Sequence, residues 1–150
     1  MGRCFMRPPD DPEVHDWLQK VAEDYRVAEV LAASAEPLDD AICFHCQQAA
    51  EKLLKALLVA AGVSPPRTHD LEELASLLPS SEPLPAEIED ACAYLSELAV
   101  SPRYPVHVDL RSPGRADRAR RELEKTIEWA QTSFGWNVPR WPSPQSAAGG

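Results

Sequence analysis

The sequence has little that would mark a secreted, membrane-spanning or disulfide-linked protein. It contains four cysteines in 150 residues, and two of them, Cys43 and Cys46, stand three apart in a helical pattern, unlike a small disulfide scaffold. No stretch approaches the roughly 20 apolar residues that a transmembrane helix needs. The N-terminus lacks the apolar run of a signal peptide. We therefore expect a cytoplasmic protein with reduced thiols.

Positive charge is also scarce. The chain has 15 lysines and arginines against 24 acidic residues, a formal net charge of -9. This balance excludes a protein that coats nucleic acid through its overall field, because such proteins usually carry a basic face. The cations that are present concentrate between residues 101 and 125, where seven of them face four carboxylates. Any contact with nucleic acid is therefore expected to be local.

Length and composition predict a single domain. With 44% hydrophobic residues, the chain can bury one core without disulfides or metal. We predict that this domain covers residues 13–135 and follows a flexible N-terminus at 1–12. The segment 136–150 is rich in proline and lacks periodicity, so we expect a largely disordered tail.

Apolar residues recur every three or four positions in four long segments and one short one. The long segments cover 14–35, 40–61, 86–99 and 113–134, and the short one covers 70–78. Ser112-Pro113 has the pattern of a helix start, while Gly62 and Gly135 stand where helices end. The pattern predicts an all-α fold, an antiparallel up-and-down four-helix bundle with an additional short helix.

The helix predicted at 40–61 has two unlike faces. Its apolar arc carries Ile42, Cys46, Ala49, Leu53, Leu57 and Ala60, and a second arc carries His45, Gln48, Lys52 and Lys55. Two ammonium groups with an amide and an imidazole suit a phosphate. An ordinary solvated helix face, with Glu51 and Lys55 as an exposed ion pair, is the equally open alternative.

A proline-bounded loop offers a second set of candidates. Arginine at 103 suits a phosphate, Tyr104 a stacked base, and His107 a proton transfer at neutral pH. The alternative is that Arg103 pairs with Glu97 and that Tyr104 closes the end of the bundle.

The start of the last helix is rich in arginine. Phosphate or an acidic partner would relieve the repulsion between these cations and the helix dipole, and neutralisation by nearby carboxylates is the alternative. The arginines are at 111, 115, 118, 120 and 121, and the carboxylates at 109, 117, 122 and 124.

Cys43 and Cys46 have the spacing of a metal or redox motif, with His69 as a further candidate ligand. Both cysteines fall on the apolar arc, where a thiol behaves as a small hydrophobe, so we predict no metal site and no cofactor. Three tryptophans outside the predicted core stripe, Trp129, Trp136 and Trp141, are candidate partner contacts.

Three motifs in order resemble the prokaryotic HEPN domain family, over roughly 14–134. They are the segment 40–58, with its Cys-Gln-Gln-Ala-Ala-Glu-Lys-Leu-Leu-Lys run, then Thr68-His-Asp-Leu71, and then Ser101-Pro-Arg-Tyr-Pro105. The resemblance implies a helical bundle, commonly a homodimer, that is often encoded beside a minimal nucleotidyltransferase and is associated with nucleotide or RNA binding. Some members are metal-independent ribonucleases with an arginine, four to six residues, then a histidine.

These observations predict a nucleotide- or RNA-associated binding module that partners a nucleotidyltransferase in a pair of toxin–antitoxin type. The expected ligand-binding residues are His45, Gln48, Lys52, Lys55, His69, Arg103 and Tyr104. One alternative is an endoribonuclease whose catalytic residues are Arg103 and His107, although only three residues separate them. The other is a structural dimerisation subunit without a ligand.

Overall fold

Five α-helices make up the described chain. The computed structural model describes residues 11–100 and 114–138. The helices are α1 (Pro12–Ala32), α2 (Asp39–Ala60), α3 (Leu71–Ser76), α4 (Ala86–Val100) and α5 (Arg115–Phe134), and no strand occurs among these residues. The predicted all-α, antiparallel up-and-down bundle with an additional short helix is confirmed.

Side-chain and glycine caps fix several helix ends. The Asp11 carboxylate accepts from the backbone N–H groups of Glu13 and Val14 at 3.0 and 3.3 Å, so α1 begins two residues earlier than predicted. Gly62 follows α2 with a φ of 80°, and the Val63 amide donates to the Leu58 carbonyl at 2.8 Å. Glycine adopts this left-handed conformation without a steric penalty, so the predicted end of α2 is confirmed.

The predicted start of α5 is wrong. Gly114 has a φ of 84°, and α5 begins at Arg115. A right-handed helix cannot continue through a residue in the left-handed region, so the first turn of α5 lies after Gly114. Ser112 and Pro113 lie outside the described residues. Gly135, with a φ of 68°, ends α5 as predicted.

Helix α2 is the centre of the bundle. It packs against all four other helices, and every residue from 53 to 60 is buried. Its predicted apolar arc, from Ile42 to Ala60, lies in the core. None of the described helices combines the length and apolar character required to cross a membrane.

The packed body extends beyond the predicted boundary at residue 135. Trp136 is 3% exposed and Val138 is 2% exposed, and both belong to the core. The indole of Trp136 lies 5.4 Å from the ring of Phe134, which in turn packs edge-on against Trp129. Asn137 between them is exposed, so residues 136 and 138 enter the core from a non-helical segment in which burial alternates. Trp136 is therefore a core residue and not a partner contact.

Candidate functional site

The polar face of α2, formed by His45, Gln48, Glu51, Lys52 and Lys55, lies partly beneath α1 and the connection that precedes α3. Glu51 and Lys55 are buried, and the other three residues are half-buried. The interpretation of this surface as an ordinary solvated face, with an exposed Glu51–Lys55 pair, is therefore wrong. These side chains are buried because neighbouring segments cover α2 on both sides.

Asp24 of α1 joins two of the predicted ligand residues. Its carboxylate accepts from Nδ1 of His45 at 2.9 Å and from the ammonium of Lys52. The Asp24 side chain is nearly buried, whereas the imidazole of His45 remains 28% exposed. Sequence reasoning missed Asp24, because its role depends on how α1 is rotated against α2.

Glu51 forms a second cluster of the same composition. Its Oε1 accepts from Nδ1 of His69 at 2.6 Å, and its Oε2 lies 3.5 Å from Nζ of Lys55. The Glu51 side chain is 4% exposed and that of His69 is 77% exposed. The Lys55 ammonium also lies 5.8 Å from the ring centroid of Trp17. A buried carboxylate thus holds an exposed imidazole beside a buried lysine.

Amide groups fix the backbone of the same connection. Gln47, which is fully buried, donates from Nε2 to the carbonyl of His69 at 2.8 Å, and Gln48 donates to Oε1 of Gln47 at 2.8 Å. His69 is therefore held through its ring and through its backbone. It joins the polar face rather than capping α3, whose cap is Asp70.

Phe44 places an exposed aromatic ring on this surface. It is 46% exposed and packs edge-on against the imidazole of His45, with 5.3 Å between ring centroids. At 100° per residue, Phe44 lies only about 40° from Gln48 on the helix. This helical projection was the sequence signal that could have added Phe44 to the candidate residues.

Basic residues at the start of α5 have partners on other helices. Arg115 forms an ion pair with Asp40 of α2 at 2.6 Å, and the guanidinium of Arg118 lies 3.8 Å from the ring centroid of Tyr94. The hydroxyl of Tyr94 donates to the carbonyl of Arg115 at 3.3 Å. These contacts fix the start of α5 against the N-terminal end of α2 and against Tyr94 of α4.

The carboxylates expected to neutralise these arginines do so only in part. Asp117 lies 3.7 Å from Arg120, while Glu122 pairs with Lys125 at 3.1 Å. Glu124 instead accepts a hydrogen bond from the hydroxyl of Tyr25 on α1. Arg111 and Asp109 lie outside the described residues, and Arg121 is exposed.

Arg103, Tyr104 and His107 also lie outside the described residues. The structure fixes the ends of the segment that contains them, which runs from the end of α4 to Gly114. The Arg115–Asp40 pair at its second end is five residues from His45 along α2, about 7.5 Å of helix rise. The segment therefore rejoins the described chain at the N-terminal end of α2, beside Asp40.

Cys43 and Cys46 are buried in the core, on the apolar side of α2. Burial raises the pKa of Cys43 to about 11 and that of Cys46 to about 12. In the part of the chain that the structure describes, no group of histidine, cysteine or acidic side chains has an arrangement that could hold a metal ion.

Comparisons with known proteins agree with this architecture. The family model for the HEPN domain matches residues 14–136, which includes the buried Trp136. The crystal structure of ST0689, an archaeal HEPN homologue, is 24% identical and superimposes with a TM-score of 0.63 over 81% of this chain and 97% of that one. The crystal structure of TT1696 from Thermus thermophilus is 29% identical, with a TM-score of 0.57 over 83% of this chain and 95% of that one. No curated protein matches the chain significantly. Because the family model covers most of the sequence, the chain belongs to the HEPN domain family.

Proposed function

We propose that this HEPN protein binds a nucleotide or single-stranded RNA on the polar face of α2, and that it acts in the cytoplasm as the partner of a nucleotidyltransferase. The observation that carries the binding proposal is the exposed ring of Phe44 beside His45, on the face that also holds Gln48 and Lys52. Aromatic rings that are open to solvent next to cationic and amide donors are typical of sites for unpaired bases.

The ligand makes two kinds of contact in the proposed site. Phe44 stacks on a base, and the cationic and amide groups of the polar face contact phosphate and sugar oxygens. Arg103 and Tyr104, on the segment that rejoins the chain near Asp40, are proposed to complete the site. This arrangement requires no overall positive charge, in agreement with the net charge of -9.

Titration calorimetry with adenosine monophosphate, ribose 5-phosphate and a short unstructured RNA tests the proposal. Phe44→Ala should remove about 1–3 kcal/mol of stacking, a loss of roughly 5- to 150-fold in affinity for the monophosphate and the RNA, and should leave ribose 5-phosphate binding unchanged. Leu77→Ala is the matched control, because Leu77 is an apolar residue of similar exposure that lies at the end of α3. Equal affinities for wild type and Phe44→Ala would contradict the site.

The same RNA, incubated with the protein in EDTA, separates binding from cleavage. We expect binding without strand scission. Cleavage that is lost in His107→Ala would instead favour the ribonuclease alternative with Arg103 and His107.

We further propose that the protein is a homodimer. Val27 and Val30 on the outer side of α1 are exposed, which supports self-association in a family whose members often dimerise. Sedimentation equilibrium should give a mass of twice 16.6 kDa. Phe44→Ala should not change that mass, because we assign Phe44 to the ligand and not to the second copy.

The nucleotidyltransferase partnership rests on the family resemblance. It is tested by co-expressing the chain with the protein encoded next to it and by purifying the complex. A neighbour without a nucleotidyltransferase fold, or two proteins that elute separately, would contradict it.

A further inference from the structure

Two carboxylates, one on α1 and one on the polar face of α2, are each balanced by one lysine. Asp24 pairs with Lys52, and Glu51 pairs with Lys55. Each pair joins one acidic and one basic side chain, so the formal charges within each pair cancel. The lysines predicted to attract phosphate therefore provide no net positive charge at this surface.

The carboxylate of each pair also contacts one imidazole, and in both clusters the contact is made through Nδ1 of the ring. Nδ1 of His45 contacts Asp24 at 2.9 Å, and Nδ1 of His69 contacts Glu51 at 2.6 Å. A carboxylate at Nδ1 fixes the ring and stabilises the imidazolium form. Within residues 11–100 and 114–138, Nε2 of neither ring has a hydrogen-bond partner.

The protonation of these two rings determines what the surface can bind. A neutral imidazole with its proton on Nδ1 presents only a lone pair at Nε2, which a phosphate cannot use. A protonated imidazole presents a cationic N–H at Nε2, which is a strong donor to a phosphate oxygen. Histidine is the side chain that ordinarily changes charge between about pH 5 and 8. The charge of the two clusters together is thus zero with neutral rings and +2 with protonated rings.

In the described part of the chain, two charged groups lie close to each ring. Those facing His45 are Asp24 from α1 and Lys52 from α2, and those facing His69 are Glu51 and Lys55 from α2. Beside His69 in the chain, Asp70 accepts from two amides of α3, and Arg67 is exposed.

We propose that phosphate binding on the polar face of α2 is linked to proton uptake by His45 and His69. This inference rests on the proposed nucleotide or RNA site and names the groups that make it cationic. His45 and Glu51, which positions His69, are six residues apart on α2, about 9 Å along the helix, so the two rings contact separate phosphate groups. A bound phosphate favours the protonated ring, so affinity rises as pH falls through the histidine range. Each proton taken up changes the dissociation constant by up to roughly tenfold per pH unit.

Calorimetry at pH 7.5 in buffers of different ionisation enthalpy measures the number of protons taken up. The probes are adenosine triphosphate, the short RNA and inorganic pyrophosphate, which distinguish a nucleotide, an RNA backbone and a bare phosphate group as the source. We expect proton uptake with each probe that binds, and weaker binding at pH 8.5 than at pH 6.5.

Asparagine substitutions test the two rings. His69→Asn keeps an amide donor near the position of Nδ1 but cannot be protonated, so it should lower the uptake by as much as one proton and flatten the pH dependence. His45→Asn should do the same. His15→Asn is the matched control, because His15 lies on the outer side of α1 with Gln19 as its contact. NMR of the imidazole nitrogens in the wild-type protein, with and without pyrophosphate, follows the same protonation without any substitution.

Three results would overturn the inference. Binding without proton uptake would refute it and leave the proposed function intact. Uptake that persists in both asparagine variants and disappears in His107→Asn would assign the proton to another residue. No binding of any probe would refute the inference together with the proposed function.

Discussion

Nδ1 of His69 lies 2.6 Å from Oε1 of Glu51, and this contact joins an exposed ring to a carboxylate that is almost wholly buried. Glu51 also faces the buried ammonium of Lys55. The Glu51 carboxylate therefore contacts both His69, in the connection before α3, and the buried ammonium of Lys55. Removing it should disturb stability as well as the site.

Glu51→Gln is expected to destabilise the protein by about 3 kcal/mol, because breaking a buried ion pair leaves Lys55 without a counter-charge. Urea denaturation measures the loss. Glu128→Gln, an exposed carboxylate on α5, is the control and should change stability by less than about 0.5 kcal/mol. Adding Lys55→Met to Glu51→Gln should recover much of the loss, and a double variant as unstable as the single one would contradict this explanation.

Tyr25 connects α1 to α5 through its hydrogen bond to Glu124. Burial, followed by this hydrogen bond, raises the pKa of Tyr25 above its ordinary value. The folded protein therefore holds the phenolic proton more tightly than the unfolded chain does. The stabilisation is fully present below about pH 10, where an unfolded tyrosine ionises, and is lost as pH rises beyond it.

The difference in unfolding free energy between wild type and Tyr25→Phe isolates this effect from other groups that titrate at high pH. At pH 7 the variant should be less stable by about 1 kcal/mol, since it lacks the hydrogen bond to Glu124. Between pH 9 and 11 the difference should shrink. A constant difference over that range would show that folding does not raise the pKa of Tyr25.

The three described cysteines are expected to react slowly with thiol reagents at pH 8. Cys43, Cys46 and Cys92 are buried, and burial raises the pKa of Cys92, like that of Cys46, to about 12. Since the thiolate is the reactive form, labelling should require unfolding. Mass spectrometry of peptides after timed alkylation, with and without urea, checks this. Rapid labelling of Cys43 or Cys46 in the native protein would contradict their placement in the core.

The positions of the helices and of the core were predictable because apolar periodicity reports them directly. His45, Gln48 and Lys52 were also identified from the arc that they share on α2. The partner of His45 and Lys52 was not, since Asp24 lies on α1 and its position depends on the packing angle and register between two helices. The burial of Glu51 was missed for the same reason.

The boundary of the domain is where sequence reasoning failed for a different reason. Trp136 and Val138 enter the core from a segment that is not helical and so has no helical period, and the prolines that follow are typical of a tail. Trp136→Ala should therefore cost about 3–5 kcal/mol, the usual loss for a large buried aromatic residue. Asn137→Ala, at the exposed position between the two core residues, should be nearly neutral.

A pair of truncated chains tests the boundary without any substitution. A chain that ends at Val138 should unfold at nearly the same urea concentration as the full protein if residues 139–150 add no core contacts. A chain that ends at Gly135 should unfold at a clearly lower concentration, because it loses the buried surface of Trp136 and Val138. Equal midpoints of urea unfolding for these two chains would indicate that the domain ends at residue 135.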